Sequence, residues 1–164
     1  MATDLLAVDA GPLIALARVQ GLALLPRLFS QVLATDEVVQ ECVAPPERSE
    51  GHVIRAALAA GWITQAAAPA HRPQHPGLGG GEASTLALAL QRSSAVLVDD
   101  RLARRVAVEL GLQVVGSLGV LIAAKRRGLL AGIRPSLEGL AGSGYFLSDA
   151  LLLEALSLAG ELDP

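Results

Sequence analysis

Short, unbroken apolar runs alternate along this chain with helical patterns of about ten residues, and that alternation restricts the architecture more than any other feature. The runs LLAVD, QVLAT, WITQAA, AVLVDD and LQVVGS are too short for helices and lack the polar alternation of a sheet that is wet on one side. Strands of this kind are buried on both faces. Between them, GPLIALARVQG opens on Gly-Pro and stops at Gly21, and TDEVVQECV carries Asp36 and Glu37 in its first turn. LALLPRLF, with Pro26 inside it, reads as a short or kinked helix, and EGHVIRAALAAG as an amphipathic one. GEASTLALALQRS is expected to open a helix at Glu82, and RLARRVAVELG and LGVLIAAKRRG follow the last two runs. Strand and helix in this succession predict an α/β fold, a three-layer α/β/α sandwich with a central parallel sheet. The Pro/Gly-rich stretch AAPAHRPQHPGLGGG, residues 67–81, reads as a mobile surface loop and not a linker, so residues 1–164 are expected to form one domain. The tail after residue 135 adds helical material.

Such a core is aliphatic, since 52% of the residues are hydrophobic and only 2% aromatic. The one cysteine, Cys42, leaves no internal disulfide and points to a reducing compartment. The first residues carry Asp4 and Asp9 and no basic stretch, and no apolar run reaches the roughly 18 residues of a membrane span. A cytoplasmic protein without a membrane partner is expected. The net charge of -3 argues against indiscriminate nucleic-acid binding, but positions 92–127 hold seven basic residues against three acidic ones. That strip is compatible with phosphate contact, and equally with solvated helix faces.

Carboxylates recur where the strands end. Ligands in open α/β sheets bind at the carboxyl ends of strands. Asp9 follows LLAV, the Asp99-Asp100 pair follows AVLV, and Glu82 lies in the first turn of the preceding helix. Glu41, beside Val38, Val39 and Cys42, is a fourth position that could turn toward the sheet edge. Each has a plain alternative, as a helix cap, a dipole partner or a solvated side chain. Together they would repel unless a cation neutralised them, so the arrangement predicts a metal. Oxygen ligands select Mg²⁺ or Mn²⁺. His71 and His75 have a helical ligand spacing, but Pro73 and Pro76 forbid the helix, which argues against zinc. GLGGGEAS does not fit a dinucleotide loop and follows no strand.

The stretches VDAGPLIALARVQGL, TDEVVQEC, GEASTLALAL and AVLVDDRLARRVAVELGLQVVGSLGVLIAAKRRG resemble, in order, the motifs of PIN-domain proteins, in particular a small prokaryotic branch of predicted nucleic-acid-binding proteins. The resemblance runs through nearly all of positions 4–160. It implies a metal-dependent ribonuclease, commonly the toxin of a toxin-antitoxin pair, and carries the acidic positions onto Asp9, Glu41, Glu82 and the Asp99-Asp100 pair. Arg101, Arg104 and Arg105 fit as phosphate-contacting neighbours, and Lys125, Arg126 and Arg127 extend the basic face. Three departures stand out. Ala10 follows the first acid where a Ser or Thr is common, leaving that hydroxyl absent or supplied elsewhere, with Ser117 the candidate. The third acid is Glu, and LVDD replaces a Thr-x-Asp pattern.

The expected activity is hydrolysis of single-stranded RNA by one or two Mg²⁺ or Mn²⁺ ions, with Asp9, Glu82, Asp99 and Asp100 as ligands and Glu41 peripheral or acting through water. The scarcity of aromatic residues argues against extensive base stacking. A rival reading is a non-catalytic PIN-like module that binds RNA or protein. A receiver-like phosphoacceptor domain would place its acidic pair after the first strand, the reverse of the order here. The stripe DALLLEALSLAG would suit an antitoxin segment or a second copy, or its own core.

Overall fold

The five apolar runs become five parallel strands. The computed structural model describes residues 4–162. Within them the chain runs β1 (Leu5–Val8), α1 (Ala10–Arg18), α2 (Leu25–Leu28), β2 (Gln31–Thr35), α3 (Asp36–Val43), α4 (Ser49–Ala59), β3 (Thr64–Ala66), α5 (Gly80–Arg92), β4 (Ala95–Leu97), α6 (Arg101–Glu109), β5 (Val114–Val115), α7 (Ser117–Arg126), α8 (Arg134–Gly142) and α9 (Asp149–Leu158). Among the described residues the strands form one sheet in the order β3-β2-β1-β4-β5, every pair parallel, with Ala7 opposite Leu33 on one side and Val96 on the other.

Successive side chains of a strand point to opposite faces, and the two apolar clusters follow that rule. Leu6, Val8, Val32, Ala34, Ala95 and Leu97 pack with residues of α1, α2, α3, α4, α7, α8 and α9. Ala7, Leu33, Val96 and Val98 pack with α5 and α6. Helices therefore cover both faces, giving a three-layer α/β/α sandwich. The larger side is built from Leu13, Leu16, Ile54, Leu121 and other side chains that are fully or almost fully buried.

Several boundaries move from those the sequence suggests. The run AVLVDD is a strand only to Leu97; Val98 makes a last bond to Val115 at 3.1 Å, and Asp100 then caps α6, its Oδ1 accepting the N–H of Ala103 at 2.9 Å. Helix α5 starts at Gly80, not at Glu82, since Glu82 serves as its third residue and reaches back to the N–H of Gly79 at 2.8 Å. It ends at Ser93, whose φ of 52° is left-handed and stops the helix ahead of β4. Pro26 sits in the first turn of α2, where its missing N–H leaves no bond unmade.

The strand order carries the functional consequence. The chain leaves β1 toward β2 and β3, then crosses back to lay β4 on the other side of β1. The connections after these two neighbouring strands diverge and open a crevice at their carboxyl ends, the usual ligand position in open α/β sheets.

Candidate active site

Carboxylates reach that crevice along separate routes. Asp9 is the residue after β1, and its backbone is held against β4 by an N–H to Leu97 carbonyl bond of 3.0 Å. Glu41 comes from the last turn of α3, Glu82 from the first turn of α5, and Asp99 and Asp100 from the turn after β4. All five line one cavity of about 480 Å³ whose other wall is the glycine-rich stretch through Gly79, Gly80 and Gly81. The structure thus brings together the five acidic positions singled out in the sequence.

Their electrostatics are unequal. Asp9 is only 6% exposed. Burial is the chief force that pushes its carboxyl up to about 7; the N–H of Ala10 opposes this, and the charges of Glu82, Glu41 and Asp99 add to it. Cys42, next to Glu41 in α3, is fully buried, and burial pushes its thiol up to about 12, which keeps it protonated and unsuited to act as a nucleophile.

Glu82, Asp99 and Asp100 are held by the protein. Glu82 gives one oxygen to Gly79. Asp99 accepts the backbone N–H of Ser117 on Oδ1 at 2.8 Å and the Ser117 hydroxyl on Oδ2 at 2.6 Å. Ser117 is fully buried at the start of α7 and fixes the Asp99 carboxylate in orientation. Tyr145 turns its hydroxyl to the same group: burial and then the Asp99 charge hold the phenol above its ordinary range. Arg104 closes this side, donating to the carbonyl of Val98 at 3.1 Å beside Gly116.

Glycine is needed at position 81 for a spatial reason. A methyl group there would stand 2.8 Å from Oε2 of Glu41 and 3.8 Å from Oδ1 of Asp9. Gly81→Ala should leave the fold intact, because alanine suits a helix and the clashing atom ends a flexible side chain. It should displace Glu41 from the cavity and lower activity about ten-fold, with the urea midpoint unchanged or slightly raised. Equal activity in Gly81→Ala and wild type would remove Glu41 from the site.

The basic residues divide into two groups. Arg101 starts α6 next to Asp100 and lines the adjoining groove, Arg104 is half-buried one turn on, and Arg105 is exposed on the same helix. Lys125, Arg126 and Arg127 lie at the far end of α7, a helix of about 15 Å that starts at Ser117 and runs back toward the amino ends of the strands, where Arg127 meets Leu28 just ahead of β2. Lys125 pairs with Glu161 at 2.9 Å, and Arg126 and Arg127 donate to the carbonyls of Leu158 and Leu28. The structure does not bring these three to the carboxylates, although sequence proximity and charge sign group them with Arg101.

Sequence reasoning missed Thr35 and Ser84, both buried. Ser84 donates to the carbonyl of Gly81 at 2.8 Å, so the proton in the 2.8 Å contact between the two hydroxyls comes from Thr35. Thr35 in turn accepts the N–H of Val38 at 3.2 Å. This chain of bonds ties the start of α3 to the start of α5, the helices that carry Glu41 and Glu82. A threonine closing a strand just before an acidic helix turn was the available signal for the cap; its pairing with Ser84 was not legible.

A family model described as a PIN domain matches residues 5–161. The chain belongs to the PIN-domain family. No curated protein matches it. Membership gives this PIN domain a nuclease type of function, and PIN domains generally use divalent metal ions. The donor set suits such an ion. It is made of oxygen alone, and Asp9 stays uncharged more readily than a carboxylate should, a condition that a dication beside it would reverse. Among the described residues no three ligating side chains are gathered closely enough to hold an ion together. Glu41 is exposed and Glu82 half-buried, with one oxygen of Glu82 bound to the N–H of Gly79. No helix among the described residues is long and apolar enough to cross a membrane.

Proposed function

We propose that this PIN domain is an endoribonuclease that hydrolyses phosphodiester bonds of single-stranded RNA with Mg²⁺ or Mn²⁺. The observation that carries the reading is Asp9, buried at the strand crevice and surrounded by Glu41, Glu82 and Asp99. Asp9, Glu82, Asp99 and Asp100 would hold the ion, with Glu41 at the rim. A divalent ion held by these carboxylates would make water nucleophilic at neutral pH and would offset charge on the phosphate oxygens. Ser117 orients Asp99, and Arg101 and Arg104 would contact backbone phosphates. The cellular role that accompanies this reading is the toxin of a type II toxin-antitoxin pair in the cytoplasm, with an antitoxin protein, or a second copy of the chain, as protein partner.

The test is cleavage of end-labelled single-stranded RNA with and without Mn²⁺ by wild type, Asp9→Asn and Asp100→Asn. Asparagine at position 100 still caps α6, so a loss there reports the charge and not the helix. Cutting only with metal, reduced more than about 100-fold by either substitution, is the expected result. Folded wild type that binds RNA and does not cut would instead establish a non-catalytic binding module.

A further inference from the structure

The crevice does not end at the carboxylates. Asp99 and Asp100 form a ridge, with the Asp9 cavity on one side and on the other an open groove of about 720 Å³ that also involves Arg101, Tyr145, Phe146, Leu151 and Glu154. Phe146, in the turn between α8 and α9, leaves 84% of its surface in water, in a chain that holds only two phenylalanines. An exposed aromatic ring beside a catalytic ridge is a surface looking for a flat apolar partner.

We infer that this groove receives one nucleobase of the RNA, the base flanking the scissile phosphate, stacked on Phe146. The inference rests on the nuclease reading above and names the part of the substrate that the second half of the crevice binds. Continuity is the first argument, since the same two aspartates line the cavity and the groove, so a strand whose phosphate sits at the ridge has its adjacent nucleotide in the groove. Charge is the second. Arg101 stands at the ridge beside Asp100, where a phosphate suits it, whereas Glu154 on the far wall repels a second phosphate and tolerates an uncharged base with N–H donors. Chemistry is the third: Phe146, Ala150 and Leu151 make an apolar surface on which any base can stack, and the hydroxyl of Tyr145 is engaged with Asp99. A protein partner fits less well, because interface cores are depleted of charge and this groove carries Asp99, Asp100, Arg101 and Glu154. The composition argued against extensive stacking, and one ring holding one base agrees with that.

Two measurements test it. In the first, Phe146→Ala raises KM for a single-stranded RNA about ten-fold while kcat holds. On the same RNA carrying an abasic ribose at the flanking position, wild type already shows the raised KM and the substitution adds nothing. In the second, Phe146→Trp in a Trp62→Phe background places the only indole in the groove, and its emission falls when RNA is added by rapid mixing, whether or not cutting follows. Quenching without cutting keeps the groove and defeats the nuclease reading. Cutting with KM unmoved by Phe146→Ala and no quenching overturns the groove. A Phe146→Ala protein whose KM is unmoved and whose sedimentation drops from dimer to monomer overturns it too, and gives the surface to a second copy of the chain.

Discussion

Asp9→Asn makes the metal-free protein more stable at pH 8 and removes its nuclease activity. The carboxyl of Asp9 ionises at about 7 in the folded chain, against an ordinary 3.8. The folded state therefore holds this proton more tightly than the unfolded state does. Below pH 4 the group is protonated in both states and contributes no difference. Between pH 4 and 7 the unfolded chain gives up the proton while the folded chain keeps it, and stability is lost progressively; above 7 the loss is complete. Three units correspond to about 4 kcal/mol as an upper value. Asparagine keeps the acceptor for the Ala10 N–H and has no charge to bury, so the variant should gain about 2–4 kcal/mol at pH 8 and almost nothing at pH 4. Added Mg²⁺ should raise the melting temperature of wild type and leave that of the variant unmoved. Urea unfolding at the two pH values checks the sign. A gain of equal size at both would mean that the cost of Asp9 lies in packing and not in its charge.

This trade of stability for function explains which parts of the molecule were legible beforehand. The strands were, because a parallel sheet covered on both sides needs continuous apolar runs, and each of the five runs became a strand. The places of Asp9 and the Asp99-Asp100 pair were too, since a strand's carboxyl end can be found once the strand is. What local pattern could not supply was direction over distance. Lys125, Arg126 and Arg127 seemed to belong with Arg101, Arg104 and Arg105 by sign and spacing, but α7 carries them a helix length away to pair with Glu161 and two backbone carbonyls. Asp99 and Asp100 looked alike side by side, and the fold gives one to Ser117 and the other to the cap of α6. Phe146 was one of the few aromatic residues in a helical tail, and only the return of that tail to the Asp99 ridge makes it a neighbour of the site.

Thr35→Val tests the least legible of these features. Valine matches threonine in shape and suits the last position of a strand, so any effect reports the hydroxyl. Its removal leaves the N–H of Val38 without its cap acceptor, which costs about 1–2 kcal/mol. It also strips the oxygen of Ser84 of its donor in a buried place, bringing the expected loss to about 2–3 kcal/mol. A lowered urea midpoint with an unchanged slope would show this. Ser84→Ala should cost less, because Thr35 keeps its bond to Val38, and the double variant should fall short of the sum of the two by about 1 kcal/mol. The activity should fall as well as the stability. Glu41 rides on α3 and Glu82 on α5, and the Thr35-Ser84 bond links the starts of the two helices across 49 positions of sequence. With the bond gone, the helices are free to shift relative to each other and to Asp9, and metal sites lose about 10–100-fold when the groups that orient their ligands are removed. Thr35→Ser, which keeps the hydroxyl and gives up a methyl, should restore most of the activity. If Thr35→Val lowers stability and leaves cleavage of RNA at the wild-type rate, the two helices are held in place by their apolar packing alone, and the hydroxyl pair is only a cap.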